Sequence, residues 1–492
     1  MSRRQLGLIT LIAAMVALCA ILYRNSTLPV YRTMTTSTTP RSRVIVVGSG
    51  LAGLSAAHAA LTAGASVHVL ERAQRPGGNS IKASSGINGA GTLAQAVRGI
   101  VDTSFYADTV KSAGARFQDT QVDRAALVKK LVDESASAVA WLSSLGVDLS
   151  IVAPLGGHSV PRTHRGPGKP PGAAIISTLL ETLGKDDKFT LSTGASVTRL
   201  LTSNNRVTGV EYTRDGATHT EQGNVVVAAG GFAGDADGLL ARYRPDLAGL
   251  PSTNEANPAS HHLLSFVNAR LVDMDSVQVH PTGFVDPADP GKKVKFLAGE
   301  MLRGEGGILL RDGQRFVNEL ETRENVSRVI MEAPEAEVAK QWDVTLLLDP
   351  GAAAAARSHL GFYEWKGLMR RVKLSSLNPE SVATVKAYAA QVASNSRDPF
   401  GRPSYGQWTL TPDDTAADVW IGKVTPITHF TMGGAAIDTH ARILSDEGVV
   451  QGLYAAGEIT GGIHGDNRLG GSSLLECVVY GRTAGREAAE FA

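Results

Sequence analysis

The densest chemical signal in the chain is Gly48-Ser49-Gly50-Leu51-Ala52-Gly53. It follows the apolar run Arg43-Val-Ile-Val-Val47 and precedes an alanine-rich helical stretch from Leu54 to Ala63. In such a strand–turn–helix unit the first glycine makes the turn, the second lets backbone approach a pyrophosphate, and the third lets helix pack on strand. The free N–H groups of the helix start then face phosphate. A second apolar run, Val67-His-Val-Leu70, ends at Glu71, where an acid can hold a ribose hydroxyl. Together these parts predict dinucleotide binding. The polar, glycine-rich loop Arg75–Ala90 that follows suits a long flavin dinucleotide better than NAD. Two further apolar runs end in small residues, Asn224–Phe232 and Gly452–Glu458. Three such strands spread over the chain imply one nucleotide domain assembled from distant segments, with another unit inserted between them.

Other polar residues are ambiguous when taken singly. His280, before Pro281 and Thr282, caps a strand as readily as it binds a ligand. Arg303 and Arg323 read as surface or ion-pair residues. Arg468, in Asn467-Arg-Leu-Gly-Gly471, is the best single candidate for an anion, because the glycines expose backbone around it. His261-His262 has no further ligand at useful spacing, so no metal is expected. Ser472-Ser-Leu-Leu-Glu476 reads as the start of a last helix, in which Cys477 packs.

The elements that must position these groups are bounded by composition. The chain has 492 residues, 43% of them hydrophobic and 19% charged, which suits about three domains, or two with one split. Lys plus Arg is 48 against 47 for Asp plus Glu, so no basic excess exists to drive nucleic-acid binding. Two cysteines exclude a disulfide framework, a cysteine zinc cluster and an iron–sulfur cluster, and no haem-attachment motif occurs. Residues 1–43 hold six arginines and no acid, and Leu6–Tyr23 is uncharged. This segment reads as a signal anchor, a cleaved signal peptide or a mitochondrial import signal. A mitochondrial or endoplasmic-reticulum location, with a possible membrane tether through 6–23, is the corresponding expectation. Residues 25–42 read as a linker.

Seven blocks then occur in order: Gly78–Ala90, His280-Pro-Thr282, Arg303-Gly304, Arg315-Phe-Val-Asn-Glu319, His429-Phe-Thr-Met-Gly-Gly434, Ala456-Gly-Glu458 and His464–Gly471. From about Arg43 to Ala492 the chain resembles the soluble, FAD-dependent fumarate reductases of fungi and related eukaryotes. More distantly it is similar to the flavoprotein subunits of bacterial fumarate reductase and succinate dehydrogenase. The resemblance implies an α/β fold with a Rossmann-like FAD-binding domain, split in sequence, and an inserted α+β capping domain. Mapped here, 1–24 is the signal or anchor, 43–255 and 415–492 the FAD-binding parts, and 256–414 the cap.

The resemblance also implies roles. FAD would contact Gly48, Ser49, Gly50, Leu51, Ala52, Gly53, Glu71, Arg72, Gly78, Asn79, Ser80, Ser84, Ser85, Gly86, Ile87, Val197, Ala229, Gly230, Gly231, Glu458, Arg468, Ser473, Leu474 and Leu475. His280, Thr282, His429 and Arg468 would hold the carboxylates of a small dicarboxylate. Flavin N5 would deliver hydride, Arg323 the proton, and Glu300 with Arg303 would reprotonate Arg323. The loop Asn79–Ser85 lacks the histidine that bonds FAD in succinate-oxidising relatives, so the FAD is expected to be non-covalent and the reaction biased toward fumarate reduction. The electron donor would be a free reduced flavin or a separate reductase. One departure stands out. The family's Gly-Asp-Gly turn ahead of the cap is absent from Ser252–His262, which bears on FAD affinity and on the cap's hinge. A related flavin enzyme acting on another substrate, or a catalytically impaired flavin-binding relative, are the alternative readings.

Overall fold

The computed structural model describes residues 42–490. The expected signal or anchor segment 1–24 and the linker up to Arg41 lie outside the described residues. Among the described residues, no helix is long and apolar enough to cross a membrane.

The apolar runs seen in the sequence become the centre of a nine-stranded sheet. Five strands are parallel, in the order Phe189–Thr193, Ser66–Glu71, Arg43–Val47, Asn224–Val227 and Gly448–Ala455. Val44, Ile45, Val46, Val225, Val226 and Val227 are fully buried. A parallel sheet is covered on both faces, so its strands read as continuous apolar runs rather than as alternation. Antiparallel strands Ser196–Ser203, Arg206–Arg214 and Ala217–Gln222 extend it on one side.

The helix after the glycine turn spans Leu51–Thr62, starting three residues earlier than the alanine pattern suggests. It packs along the C-terminal helix Ser472–Glu490. Two glycines one turn apart make that contact close. A Cβ on Gly485 would lie 2.0 Å from the Ala56 carbonyl oxygen, and one on Gly481 2.5 Å from that of Ala52. Ser42 Oγ donates to the Ala489 carbonyl and Asn224 Nδ2 to that of Ala488, so the last helix ties to the first strand and to the sheet.

A second, six-stranded antiparallel sheet comes from the intervening chain. Its order is Val277–Phe284, Asp418–Thr431, Val344–Leu348, Ile308–Arg311 and Gln314–Arg315, with Arg370–Lys373 beside Asp418–Thr431. The strand Asp418–Thr431 thus stays in this sheet although it lies beyond residue 414. Phe284, Leu309, Leu346, Leu348 and Val424 form its core with Phe232, Leu302 and Ile330. The α/β class expected from the sequence is the observed one.

The segment 252–262 is well anchored without its glycine turn. Thr253 N donates to the Thr428 carbonyl, Lys82 pairs with Glu255, Arg72 Nη1 donates to the Pro258 carbonyl at 2.7 Å, and Asp235 accepts from Ala259 N.

Candidate active site

The glycine turn, as built, leaves room for a ligand. A Cβ on Gly53 would collide with the Gly48 carbonyl at 2.0 Å, so this glycine serves helix–strand packing. A Cβ on Gly50 would meet only Ser80 Oγ at 3.6 Å, and one on Gly230 would meet nothing within 4 Å. Bare backbone therefore faces open space at a helix N-terminus, as a pyrophosphate requires. Glu71 accepts from Ser49 N at 2.9 Å, Ser49 Oγ at 2.6 Å and Ala73 N at 2.8 Å. A carboxylate offers about four lone pairs, so one remains for a hydroxyl. Ser80 Oγ accepts from Leu51 N, which brings the loop at Gly78 and Ser80 onto the turn. Ser84 Oγ is buried and unpartnered beside Gly299. These features fit a dinucleotide.

The other expected cofactor residues come from several segments. Ile87, Gly86 and Ser85 line up beside Asn88, whose Nδ2 donates to the Gly470 carbonyl and to Ser472 Oγ. Ser473, Leu474 and Leu475 follow at the start of the last helix. Ala229 and Gly231 end a sheet strand next to Glu458. Glu458 accepts from Thr431 N at 2.9 Å, and its burial lifts its carboxyl to about 7. Arg72 and Asn79, by contrast, are exposed, Arg72 being spent on Pro258. Val197 is buried in the core of the main sheet.

The expected substrate residues come together from both sheets. His280 and His429 stand on neighbouring strands with ring centroids 5.4 Å apart. Both occur at bulges. Gln278 pairs with Phe430 and Val279 with Thr428, so His429 is the extra residue on its strand. The register slips again between His280 and Gly283, where Pro281 is accommodated. Bulges re-aim side chains and tolerate proline within a sheet. Thr282 N donates to His280 Nδ1 at 3.2 Å, which puts the ring proton on Nε2. That Nε2 is buried and unpartnered. Burial, with the guanidiniums of Arg323 and Arg468 nearby, holds both histidines well below their ordinary pKa, so each is neutral.

Three guanidiniums surround them. Arg323, at the start of the helix Arg323–Met331, bonds Glu300 through Nε at 2.9 Å and through Nη2. Its Nη1 donates to Gln278 Oε1 at 2.9 Å. Arg468 Nη2 donates to the same oxygen at 2.9 Å, and its guanidinium lies 4.5 Å over the Phe430 ring. Burial raises the Glu300 carboxyl, but Arg323 and Arg303 outweigh it and hold it at about 2. Burial lowers Arg303 to about 10 and Arg468 to about 9. Arg468 Nε, Arg303 Nε and Arg303 Nη2 have no partners. Three cations face one firmly ionised carboxylate, an excess that suits a dianion. Arg323, Arg468, Gln278 and Glu300 also border a cavity of about 1050 Å³.

Two residues at this site escaped the reading of the sequence. Gln278 bridges Arg323 and Arg468, and its Nε2 donates to Asn467 Oδ1 and to the Arg468 carbonyl. Its position two before His280 on one strand was the available signal. His158 donates from Nε2 to the Gly470 carbonyl, and burial lowers it to about 4. Nothing in its sequence surroundings marks it.

Comparison with known proteins agrees with this geometry. Residues 43–474 match the family model described as FAD binding domain. The chain is 41% identical over 478 residues to a fumarate reductase of Schizosaccharomyces pombe, covering 92% of this chain and 90% of that one. It is 42% identical over 474 residues to fumarate reductase 1 of Saccharomyces cerevisiae, covering 90% and 97%. Among solved structures, the open conformation of a flavocytochrome c3 fumarate reductase superimposes with TM-score 0.73 at 31% identity, covering 92% of this chain and 78% of that one.

Proposed function

The chain belongs to the FAD-binding-domain family and, within it, to the fumarate reductases, and on that premise we propose that it reduces fumarate to succinate with strong bias in that direction. The observation that carries this reading is the pair of unpartnered N–H donors on His280 and Arg468, buried within an excess of positive charge. Leaving charged donors buried and unmade is expensive. A small dicarboxylate would satisfy them.

FAD, held non-covalently by the turn 48–53, Glu71, the loop 78–87 and the start of the last helix, would supply the hydride. The rest of the chemistry falls to side chains. Arg468 and the two neutral histidines hold the carboxylates and fix the alkene flat. They also stabilise the negative charge that builds on the carboxylate next to the reacting carbon. Arg323 gives a proton to the second alkene carbon, so that the C=C π bond is replaced by two C–H bonds. Once Arg323 has given up its proton, the ionised Glu300 accepts one passed from Arg303 and hands it to Arg323, and Arg303 is recharged from solvent. An arginine acid is unusual, but the acceptor is strongly basic, and the donor also stabilises the charge before it reacts. Electrons reach the site from a free reduced flavin or a separate reductase.

The test is anaerobic. The enzyme-bound flavin is reduced with dithionite just to completion and mixed with fumarate. Rapid return of the oxidised flavin spectrum with one succinate formed per flavin is expected, with succinate oxidation by a dye much slower. Flavin that stays reduced in the presence of fumarate overturns the reading.

A further inference from the structure

Arg303 sits on the five-residue helix Glu300–Gly304, too short to hold its own shape. It is held from outside. Arg402, fully buried, donates from Nη2 to the Arg303 carbonyl at 2.7 Å and from Nη1 to the Gly307 carbonyl at 2.9 Å. These bonds cap the C-terminal end of the helix. Arg402 Nη1 also reaches Glu319 Oε2 at 3.0 Å. The Glu319 carbonyl in turn accepts from Arg303 Nη1 at 2.7 Å. Glu319 is pinned by Arg315 through two bonds of 2.9 and 2.8 Å, and Asp398 by Arg315 Nη1 and Arg402 N.

This ring contains two guanidiniums and two carboxylates, so its charges cancel internally. It grips the backbone and one nitrogen of Arg303 yet leaves Nε and Nη2 unpartnered. A network serving only to neutralise buried charge would have consumed those donors as well.

We propose that Arg402 and Glu319 are positioning residues for proton delivery: they fix Arg303, and with it Glu300, so that the free guanidinium face stays turned toward the Glu300–Arg323 pair. This inference rests on the fumarate-reducing reading of the site. Neither residue touches substrate or FAD. Their loss therefore slows proton delivery and leaves the binding of both intact.

Arg402→Lys and Arg402→Ala are compared with wild type, with and without added guanidinium chloride at a concentration below the onset of unfolding. The readouts are flavin content by absorbance, steady-state kcat and KM for fumarate, and the solvent deuterium isotope effect on kcat. The expectation is full flavin content, KM within about twofold, kcat lower by about 10²-fold, a raised isotope effect, and partial rescue of Arg402→Ala by guanidinium. Equal loss of flavin, KM and kcat without rescue would mean that Arg402 only holds the fold. If both variants misfold, Glu319→Gln, which keeps the shape of the side chain, is measured in the same way, and an unchanged isotope effect there overturns the proposal. Wild type that does not turn over fumarate would instead remove the underlying reading, which is a separate outcome.

Discussion

Gln278 makes the sharpest test of the site, because one oxygen serves two guanidiniums. Replacing it by leucine keeps the approximate volume and removes the acceptor at 2.9 Å from both Arg323 Nη1 and Arg468 Nη2. Each hydrogen bond to a charged group is worth about 1.5–3 kcal/mol, so the direct loss is about 3–6 kcal/mol. Both arginines border the 1050 Å³ cavity, where water can replace the lost oxygen, so the lower end applies, about 3 kcal/mol. Gln278→Glu changes two things: it sets a carboxylate against both guanidiniums, and it removes the Nε2 donor to Asn467 Oδ1 and the Arg468 carbonyl. A carboxylate between two guanidiniums gains Coulomb energy of about 4 kcal/mol from each at moderate dielectric, offset by a desolvation cost of similar total size. The lost donors leave two oxygens facing a carboxylate, so its stability should fall below wild type by about 1–3 kcal/mol. It also cancels part of the positive excess that attracts a dianion, so its KM for fumarate should rise about tenfold or more. Gln278→Leu should mainly lower kcat, because Arg323, the proposed proton donor, loses its tether. Urea unfolding and steady-state fumarate reduction separate the two. If Gln278→Leu unfolds at the wild-type midpoint and keeps kcat and KM, the bridge is incidental and the argument fails.

Three further outcomes follow from the same contacts. Arg323→Lys should retain the flavin spectrum while kcat falls by about 10³-fold, since an ammonium cannot keep the bonds to both Glu300 and Gln278. His261 is buried with both ring nitrogens unpartnered, edge-on to Phe232 at 5.3 Å, and burial lowers it to about 4 from 6.5. Its folded pKa lies below its unfolded one, so stability is full above pH 6.5 and is lost as pH falls toward 4. His261→Leu should match wild type near pH 8 and exceed it by about 3 kcal/mol near pH 4, read by chemical denaturation across pH. Gly485→Ala puts a Cβ 2.0 Å from the Ala56 carbonyl and should cost about 1–3 kcal/mol, visible as a lower Tm with the flavin site distorted through the helix Leu51–Thr62.

The nucleotide half of the fold was legible because its physics is local. The run Arg43–Val47, the glycines and Glu71 all lie within one strand–turn–helix–strand unit, and each does what its type allows. The start of the helix was placed late because Gly50 and Gly53 weaken the helical pattern just where the helix begins. The segment 252–262 brings the Pro258 carbonyl within reach of Arg72 Nη1. The strand Asp418–Thr431 could not be allotted to its sheet from sequence, since its partners lie more than forty residues away.

The catalytic constellation was legible only as an ordered set of blocks, and its geometry explains why single residues were ambiguous. His280 and His429 are ordinary strand residues by pattern. What turns them toward one another is an extra residue on each strand, and two-residue periodicity cannot register a bulge whose partner strand is distant in sequence. Pro281 is the one local trace, because a proline inside a strand demands such an irregularity. The same reasoning accounts for the ions. Arg303, Arg315, Arg323 and Arg402 look alike on the page, yet Arg315 and Arg402 are consumed by Glu319 and Asp398 while Arg303 keeps two donors free. A guanidinium becomes available for chemistry only where the fold withholds carboxylates from it. Glu300 is the exception that completes the proposed site: its ionised carboxylate lies against Arg323, which holds it in that state.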